Sequence, residues 1–183
     1  MLEECLIEFA APVLAGLRTA AIFSCRFDGP EEEAARVAEM NALLNGRDLY
    51  LKVLSHRKGR AQVYFYRKGK LEQDLQKKGV ADFLSRSGYS VCSPEEALRL
   101  LGERLDQKGD FPHELGIFLG YPLPDVIGFI ENQGLHYRCV GWWKVYHDEQ
   151  ETQKAFALYD QCTRSYREFY RQGKSLLQLA AAA

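Results

Sequence analysis

Residues 49–67 read LYLKVLSHRKGRAQVYFYR, and this stretch decides the fold of the chain. The two runs at 49–56 and 60–67 are rich in β-branched and aromatic residues, and Arg57-Lys58-Gly59 joins them. Runs of this length around a short turn that contains glycine are typical of an antiparallel hairpin. The stretch therefore predicts two neighbouring antiparallel strands.

Further elements are predicted on both sides of this hairpin. Residues 20–27 (AAIFSCRF) and 136–146 (HYRCVGWWKVY) have strand composition, and Gly141 suggests a bulge in the second. Apolar positions at helical spacing in residues 2–16 predict a helix, which we expect to end or kink near residue 11 because of Pro12. A proline followed by acids predicts a helix from residue 30, and residues 149–171 form a long amphipathic pattern.

These patterns predict an α+β fold. The expected architecture is a small, mostly antiparallel sheet of three to four strands, with helices packed on one side and a long C-terminal helix. No stretch reads as a linker, so we expect residues 1–183 to form a single domain.

The composition favours an ordinary globular protein in a reducing compartment. Of the 183 residues, 46% are hydrophobic and 27% are charged, and the net charge of −1 selects neither nucleic acid nor an anionic membrane. The start of the chain lacks the pattern of a secretory signal, and no apolar run is long enough to span a membrane. Five scattered cysteines without a CxxC pair indicate free thiols, so we expect a cytoplasmic location.

The hairpin region is strongly basic. From residue 49 to residue 71 there are seven cationic side chains and no acid, namely Lys52, Arg57, Lys58, Arg60, Arg67, Lys68 and Lys70. Such charges are typical of a solvated hairpin that resists edge pairing. The alternative is a patch over residues 52–70 that binds an anion or nucleic acid.

Residues 111–134 (FPHELGIFLGYPLPDVIGFIENQG) predict a helical hairpin. The segment has the helix, turn and helix pattern of a helix-turn-helix motif, but it carries three acids and no Lys or Arg. A recognition helix presents polar and cationic side chains to DNA, so DNA binding by this segment is unlikely on physical grounds. Glycine weakens helices, so Gly116 and Gly128 predict a close approach of other residues to both helices.

The candidate ligand-binding residues lie in this segment and in the aromatic run after it: His113, Glu114, Tyr121, Asp125, Trp143 and Lys144. His113 and Glu114 have the chemistry of a general acid–base pair or of metal ligands, although no HExxH motif is present. The alternative interpretation makes Glu114 a helix cap. Aromatic residues such as Trp143 either pack in a core or stack on a flavin, haem or base.

The cysteines provide a second set of candidates. Cys25, Cys139 and Cys162 form a thiolate metal site only if the fold brings them together, with His136 or His147 as a further ligand. The alternative is that each is a small buried hydrophobic residue. No phosphate-binding loop, dinucleotide-binding or hydrolase motif is present, and the sequence assigns no cofactor.

Four stretches resemble an uncharacterised family of unknown function that is found mainly in clostridia and related anaerobic Firmicutes. They are APVLAGLRTAAIFSC (11–25), the 111–134 segment, CVGWWKVYHDE (139–149) and YRQGKSLLQLA (170–180). The resemblance implies no activity. It implies relatives with more cysteines, one of them where this chain has Ala10, which weakens a metal site here. Genes of this family often lie near flavodoxin and iron-uptake genes, so the resemblance also implies a redox-linked partner.

Three functions follow as hypotheses. The first is a cytosolic, non-catalytic binding or accessory protein that uses the 111–134 hairpin and the aromatic 137–146 strand to bind a small molecule or a protein. The second is a redox, metal- or haem-handling protein that uses the cysteines. The third is nucleic-acid binding through the basic 52–70 hairpin, which the net charge disfavours. An enzyme that uses His113 and Glu114 as acid and base is a further alternative, but the sequence indicates no substrate for it.

Overall fold

The computed structural model describes residues 2–89, 93–107 and 111–181. Its centre is a three-stranded antiparallel sheet in the order β1-β3-β2, formed by β1 (Ala20–Cys25), β2 (Leu49–Arg57) and β3 (Arg60–Arg67). Strands β2 and β3 are joined by Lys58 and Gly59, whose φ angles are 50° and 69°. Two successive positive φ angles are what a tight hairpin turn requires, so the predicted hairpin is confirmed.

The strands are surrounded by helices, and the predicted α+β class is confirmed. A second antiparallel sheet consists of β4 (Cys139–Val140) and β5 (Lys144–Val145). The helices are α1 (Leu2–Leu14), α2 (Pro30–Leu44), α3 (Lys68–Leu75), α4 (Val80–Arg86), α5 (Pro94–Asp106), α6 (Leu115–Phe118), α7 (Leu123–Glu131), α8 (Glu149–Arg171) and α9 (Leu176–Leu179). Within the described ranges, none of them combines the length and the hydrophobicity that crossing a lipid bilayer requires.

The helices cover both faces of the central sheet, whereas the sequence predicted helices on one side. Strand β3 explains the difference, because it is buried at every position from Val63 to Arg67. On one face Val63 and Phe65 pack in a first core with α1, α2 and α9. On the other face Tyr64 and Tyr66 pack in a second core with helices α3 to α7.

Helix α1 continues through Pro12 to Leu14, so of the two predicted outcomes, an end or a kink near residue 11, the end is wrong. Val13 and Leu14 are fully buried in the first core, and burial of this kind stabilises the last turn despite the proline. The carbonyls of both residues accept hydrogen bonds from the Arg67 guanidinium at 2.9 and 2.8 Å. The tertiary structure therefore overrides the local helix-breaking signal.

The predicted strand over 136–146 is also wrong, since a tight turn divides it into β4 and β5. Gly141 is not a bulge but the first residue of this turn, and its N–H donates to the carbonyl of Trp143 at 3.1 Å. A β-carbon on Gly141 would lie 2.4 Å from the ring of Phe156 in α8. The turn contains two adjacent tryptophans, and Trp143 stacks on Tyr121 of the 111–134 segment.

Candidate functional site

A cavity of about 340 Å³ lies between the 111–134 segment and the turn that joins β4 to β5. Aliphatic side chains, including Leu115 and Val126, form part of its wall. The rest is mostly aromatic, and its ring-bearing residues are Phe111, His113, Tyr121, Phe129, Trp142 and Trp143. Five of the six predicted ligand-binding residues line this cavity, namely His113, Tyr121, Asp125, Trp143 and Lys144.

Ring contacts fix the aromatic wall. Trp143 stacks on Tyr121 with ring centroids 4.6 Å apart, and it meets the ring of Phe156 edge-on at the same distance. His113 lies against Phe129, with centroids 5.0 Å apart. Offset-stacked and edge-to-face pairs are the favoured geometries of aromatic side chains, so the wall is held in place before any ligand arrives.

Asp125 in α7 ties the second sheet to the 111–134 segment. Its carboxylate is 2% exposed and accepts three N–H bonds, from the Trp143 indole at 2.8 Å and from the backbones of Tyr146 and His147 at 2.7 and 2.9 Å. A buried carboxylate is stable only when donors of this kind surround it. Asp125 therefore positions Trp143, and its own oxygens are already occupied.

Lys144 is the cation of the cavity, and it is also held by the protein. Its Nζ donates to the carbonyl of Gly134 at 2.8 Å and lies 5.0 Å from the ring centre of Tyr137. A carbonyl oxygen and an aromatic face together accommodate an ammonium group. The charged groups of this cavity are therefore committed to internal contacts.

Glu114 does not face the cavity that its neighbour His113 lines. Its carboxylate is buried in the second core, where it forms an ion pair with Arg104 at 2.8 Å and accepts the Tyr89 hydroxyl at 3.1 Å. Burial first, and then the nearby Glu114 charge, raise the pKa of Tyr89 above its ordinary range. The structure thus separates the two members of the predicted acid–base pair.

The three candidate cysteines lie in different environments. Cys25 is buried in the first core, Cys139 lies in β4, and Cys162 is buried in α8. In the part of the chain that the structure describes, no three His, Cys, Asp or Glu side chains are grouped as a metal ion would require. Cys92 falls outside the described residues.

The buried thiols are also held in their protonated form. Burial raises the pKa of Cys162 to about 11, and burial together with the neighbouring Cys5 raises the pKa of Cys25. Both thiols therefore ionise less readily than an exposed cysteine, and the thiolate is the form that binds metals.

The basic hairpin is less continuous than its sequence suggests. Arg67 is buried, and its guanidinium binds backbone carbonyls. Lys68 forms an ion pair with Glu95 at 2.8 Å, and Arg57 donates to the carbonyl of Leu105 at 3.1 Å. Arg67 therefore belongs to the protein interior and not to the cationic patch over residues 52–70 that was the alternative interpretation of this hairpin.

Sequence analysis did not single out Arg18, which lines a second cavity of about 260 Å³ together with Asp74 and Tyr159. Arg18 is only 7% exposed. A signal was present in the sequence, because Arg18 is the one charged residue between positions 11 and 25. A lone arginine inside an apolar stretch indicates either a buried ion pair or a functional group.

A family described as a protein of unknown function (DUF3793) matches residues 6–180. Comparisons with curated proteins and with solved structures found no match.

Proposed function

This chain belongs to the DUF3793 family of proteins of unknown function, and we propose that it is a non-catalytic binding protein whose 340 Å³ cavity holds a small planar apolar molecule. The observation that carries the proposal is the wall of stacked rings around a space of ligand size. Pockets for small molecules are mostly apolar, and they span roughly 300–1,000 Å³. The cavity lies at the lower end of that range, which favours a compact ligand.

The contacts within the wall support recognition by shape and stacking. Asp125 receives three N–H bonds and Lys144 donates to a carbonyl, so neither offers an uncommitted charge. Most of the remaining wall consists of ring-bearing side chains such as Phe129 and Trp142. Aromatic pairs contribute about 0.5–1.5 kcal/mol beyond the burial of their area, so a flat aromatic ligand gains most from this site.

The rim of the cavity also favours an apolar ligand. Phe111 and Val140 line it and are exposed to solvent, as is the nearby Tyr137. Exposed apolar side chains that surround a concave site are typical of a binding surface. We further propose a cytoplasmic location, which is supported by the free state of Cys5, Cys25, Cys139 and Cys162.

Tryptophan fluorescence tests this proposal directly, because the chain has two tryptophans and both line the cavity. N-phenyl-1-naphthylamine is a suitable probe, since it is neutral, flat and apolar and accepts energy from excited indoles. We expect it to quench the emission of Trp142 and Trp143 in a saturable manner. Loss of one stacking partner, in Phe111→Ala, is expected to raise the Kd about tenfold.

Phe9→Ala is the matched control for this experiment. Phe9 lies in α1 and is 49% exposed, and Phe111 is 43% exposed, so both substitutions remove the same group at similar exposure. Binding that Phe9→Ala weakens as much as Phe111→Ala would contradict the proposed site. Absence of saturable quenching with this probe and with neutral flat analogues would contradict the proposed function.

A further inference from the structure

The second cavity, of about 260 Å³, contains a guanidinium in an aromatic cage. The Cζ atom of Arg18 lies 4.9 Å from the ring centre of Trp142 and 5.7 Å from those of Tyr121 and Tyr159. Ring faces attract a cation and thereby hold its side chain in one place. Arg18 is therefore fixed at this cavity although it is almost entirely buried.

No carboxylate among the described residues forms an ion pair with Arg18. Burial raises the pKa of the neighbouring Tyr121, and the Arg18 charge offsets part of this rise. The acid of the cavity is Asp74, which accepts the Thr19 hydroxyl and forms an ion pair with Lys77 at 2.5 Å. Asp74 is thus already neutralised by other partners.

Lys70 adds a second uncompensated charge. It lines the same cavity from α3, it is half-buried, and it forms no ion pair with any residue that the structure describes. Burying cations without counterions is costly, and ring faces do not satisfy the in-plane N–H groups of a guanidinium. Among the described residues, the cavity therefore has two cationic side chains that form no ion pair.

We propose that this cavity binds the phosphate group of a small phosphorylated molecule. The planar fork of Arg18 is suited to paired hydrogen bonds with phosphate oxygens, and Lys70 supplies a point charge. A phosphate monoester carries a charge of about −1.5 to −2 at pH 7, which matches the excess of Arg18 and Lys70. The site adjoins the aromatic cavity, because Trp143 lines both and Arg18 contacts Tyr121 and Trp142, but phosphate binding does not depend on the function proposed for that cavity.

Isothermal titration calorimetry with inorganic phosphate and phenyl phosphate tests the site, at an ionic strength kept constant with chloride. We expect saturable binding of both anions at one site. Lys70→Ala removes a charge-assisted hydrogen bond from a half-buried position, and its Kd for phosphate is expected to rise about tenfold or more. Arg18→Lys keeps the charge but not the fork, and it should also weaken binding.

Lys78→Ala is the matched control, because Lys78 is exposed, follows α3 closely in sequence and does not line this cavity. It makes the same change in net charge and is expected to leave the Kd unchanged. The melting temperature of Lys70→Ala should match that of the unaltered protein, which verifies that the variant is folded.

Three results would overturn the proposal. The first is the absence of saturable heat with millimolar phosphate. The second is equal weakening by Lys78→Ala and Lys70→Ala, which would indicate a general charge effect. The third is tighter binding of succinate than of phosphate, which would assign the cavity to carboxylates.

Discussion

The backbone of Gly128 in α7 packs directly against the side chain of Tyr146, so that a β-carbon at position 128 would lie 2.5 Å from the ring atom Cγ. Val126 packs against Gly116 in α6 in the same way, and its Cγ2 would lie 2.8 Å from a β-carbon at position 116. Glycine costs a helix about 1 kcal/mol relative to alanine, so its use at both positions has a packing reason. The close approach that the sequence predicted is confirmed.

Gly128→Ala is expected to lower the free energy of unfolding by about 1–3 kcal/mol, in spite of the better helix propensity of alanine. The obstructing atoms are Cβ and Cγ of Tyr146, which lie next to its backbone and cannot swing away. Urea denaturation measures the effect. Gly46→Ala is the control, since no atom lies within 4 Å of a β-carbon there, and equal responses of the two variants would refute the packing argument.

Asp125→Asn is expected to cost about 1–3 kcal/mol of stability and to change the emission of Trp143. An asparagine has one acceptor oxygen, so it cannot serve the indole N–H and both N–H groups of residues 146–147. Asp160→Asn is the control, because Asp160 accepts the indole N–H of Trp142 at an exposed position. Thermal melting followed by fluorescence should separate the two variants, and similar melting temperatures would contradict the role assigned to Asp125.

Arg67→Lys is expected to destabilise the protein by at least about 2 kcal/mol, although it keeps the charge. The guanidinium is 2% exposed, and burial lowers the pKa of Arg67. It donates hydrogen bonds to the carbonyls of four residues in three separate segments, namely the adjacent Val13 and Leu14, then Arg47, and then Ala181. A lysine ammonium is a compact group that cannot reach all of them.

Chemical denaturation measures this loss. Arg60→Lys in the same strand is the control, because Arg60 is exposed and donates to the carbonyl of Ser24 at 3.5 Å. A stable Arg67→Lys variant would mean that the backbone carbonyls find other donors.

The central sheet could be predicted from sequence because its signals are local. The 58–59 turn and its flanking apolar runs specify a hairpin without help from the rest of the chain. The prediction of helices on one side was wrong because it overlooked that Val63 to Tyr66 are all apolar or aromatic, whereas a half-buried strand alternates. The course of α1 beyond Pro12 was not readable, because it depends on burial and on a distant arginine.

The candidate site could be predicted in part for the same reason. His113, Tyr121 and Trp143 were found because unusual residues cluster in two segments, and the structure brings those segments together. Glu114 was misassigned because its partners, Tyr89 and Arg104, lie on other elements. No spacing rule connects residues that meet only after folding.

Stability is expected to fall above about pH 10 because two buried tyrosines lose protons more readily in the unfolded chain. Burial raises the pKa of Tyr64 well above its ordinary value and that of Tyr66 to about 12. The folded state then binds more protons than the unfolded state, so the stabilising effect is complete below about pH 10 and declines as the pH rises. Tyr64→Phe removes the hydrogen bond to the Phe118 carbonyl, which is expected to lower the free energy of unfolding by about 1 kcal/mol at pH 7. Above pH 10 the free energy of unfolding of this variant should fall less steeply than that of the unaltered protein, by up to about 1.4 kcal/mol per pH unit. Urea denaturation at several pH values measures both effects. Tyr137→Phe is the control, because Tyr137 is exposed. If the free energy of unfolding falls equally steeply above pH 10 in Tyr64→Phe and in the unaltered protein, Tyr64 does not cause the pH dependence.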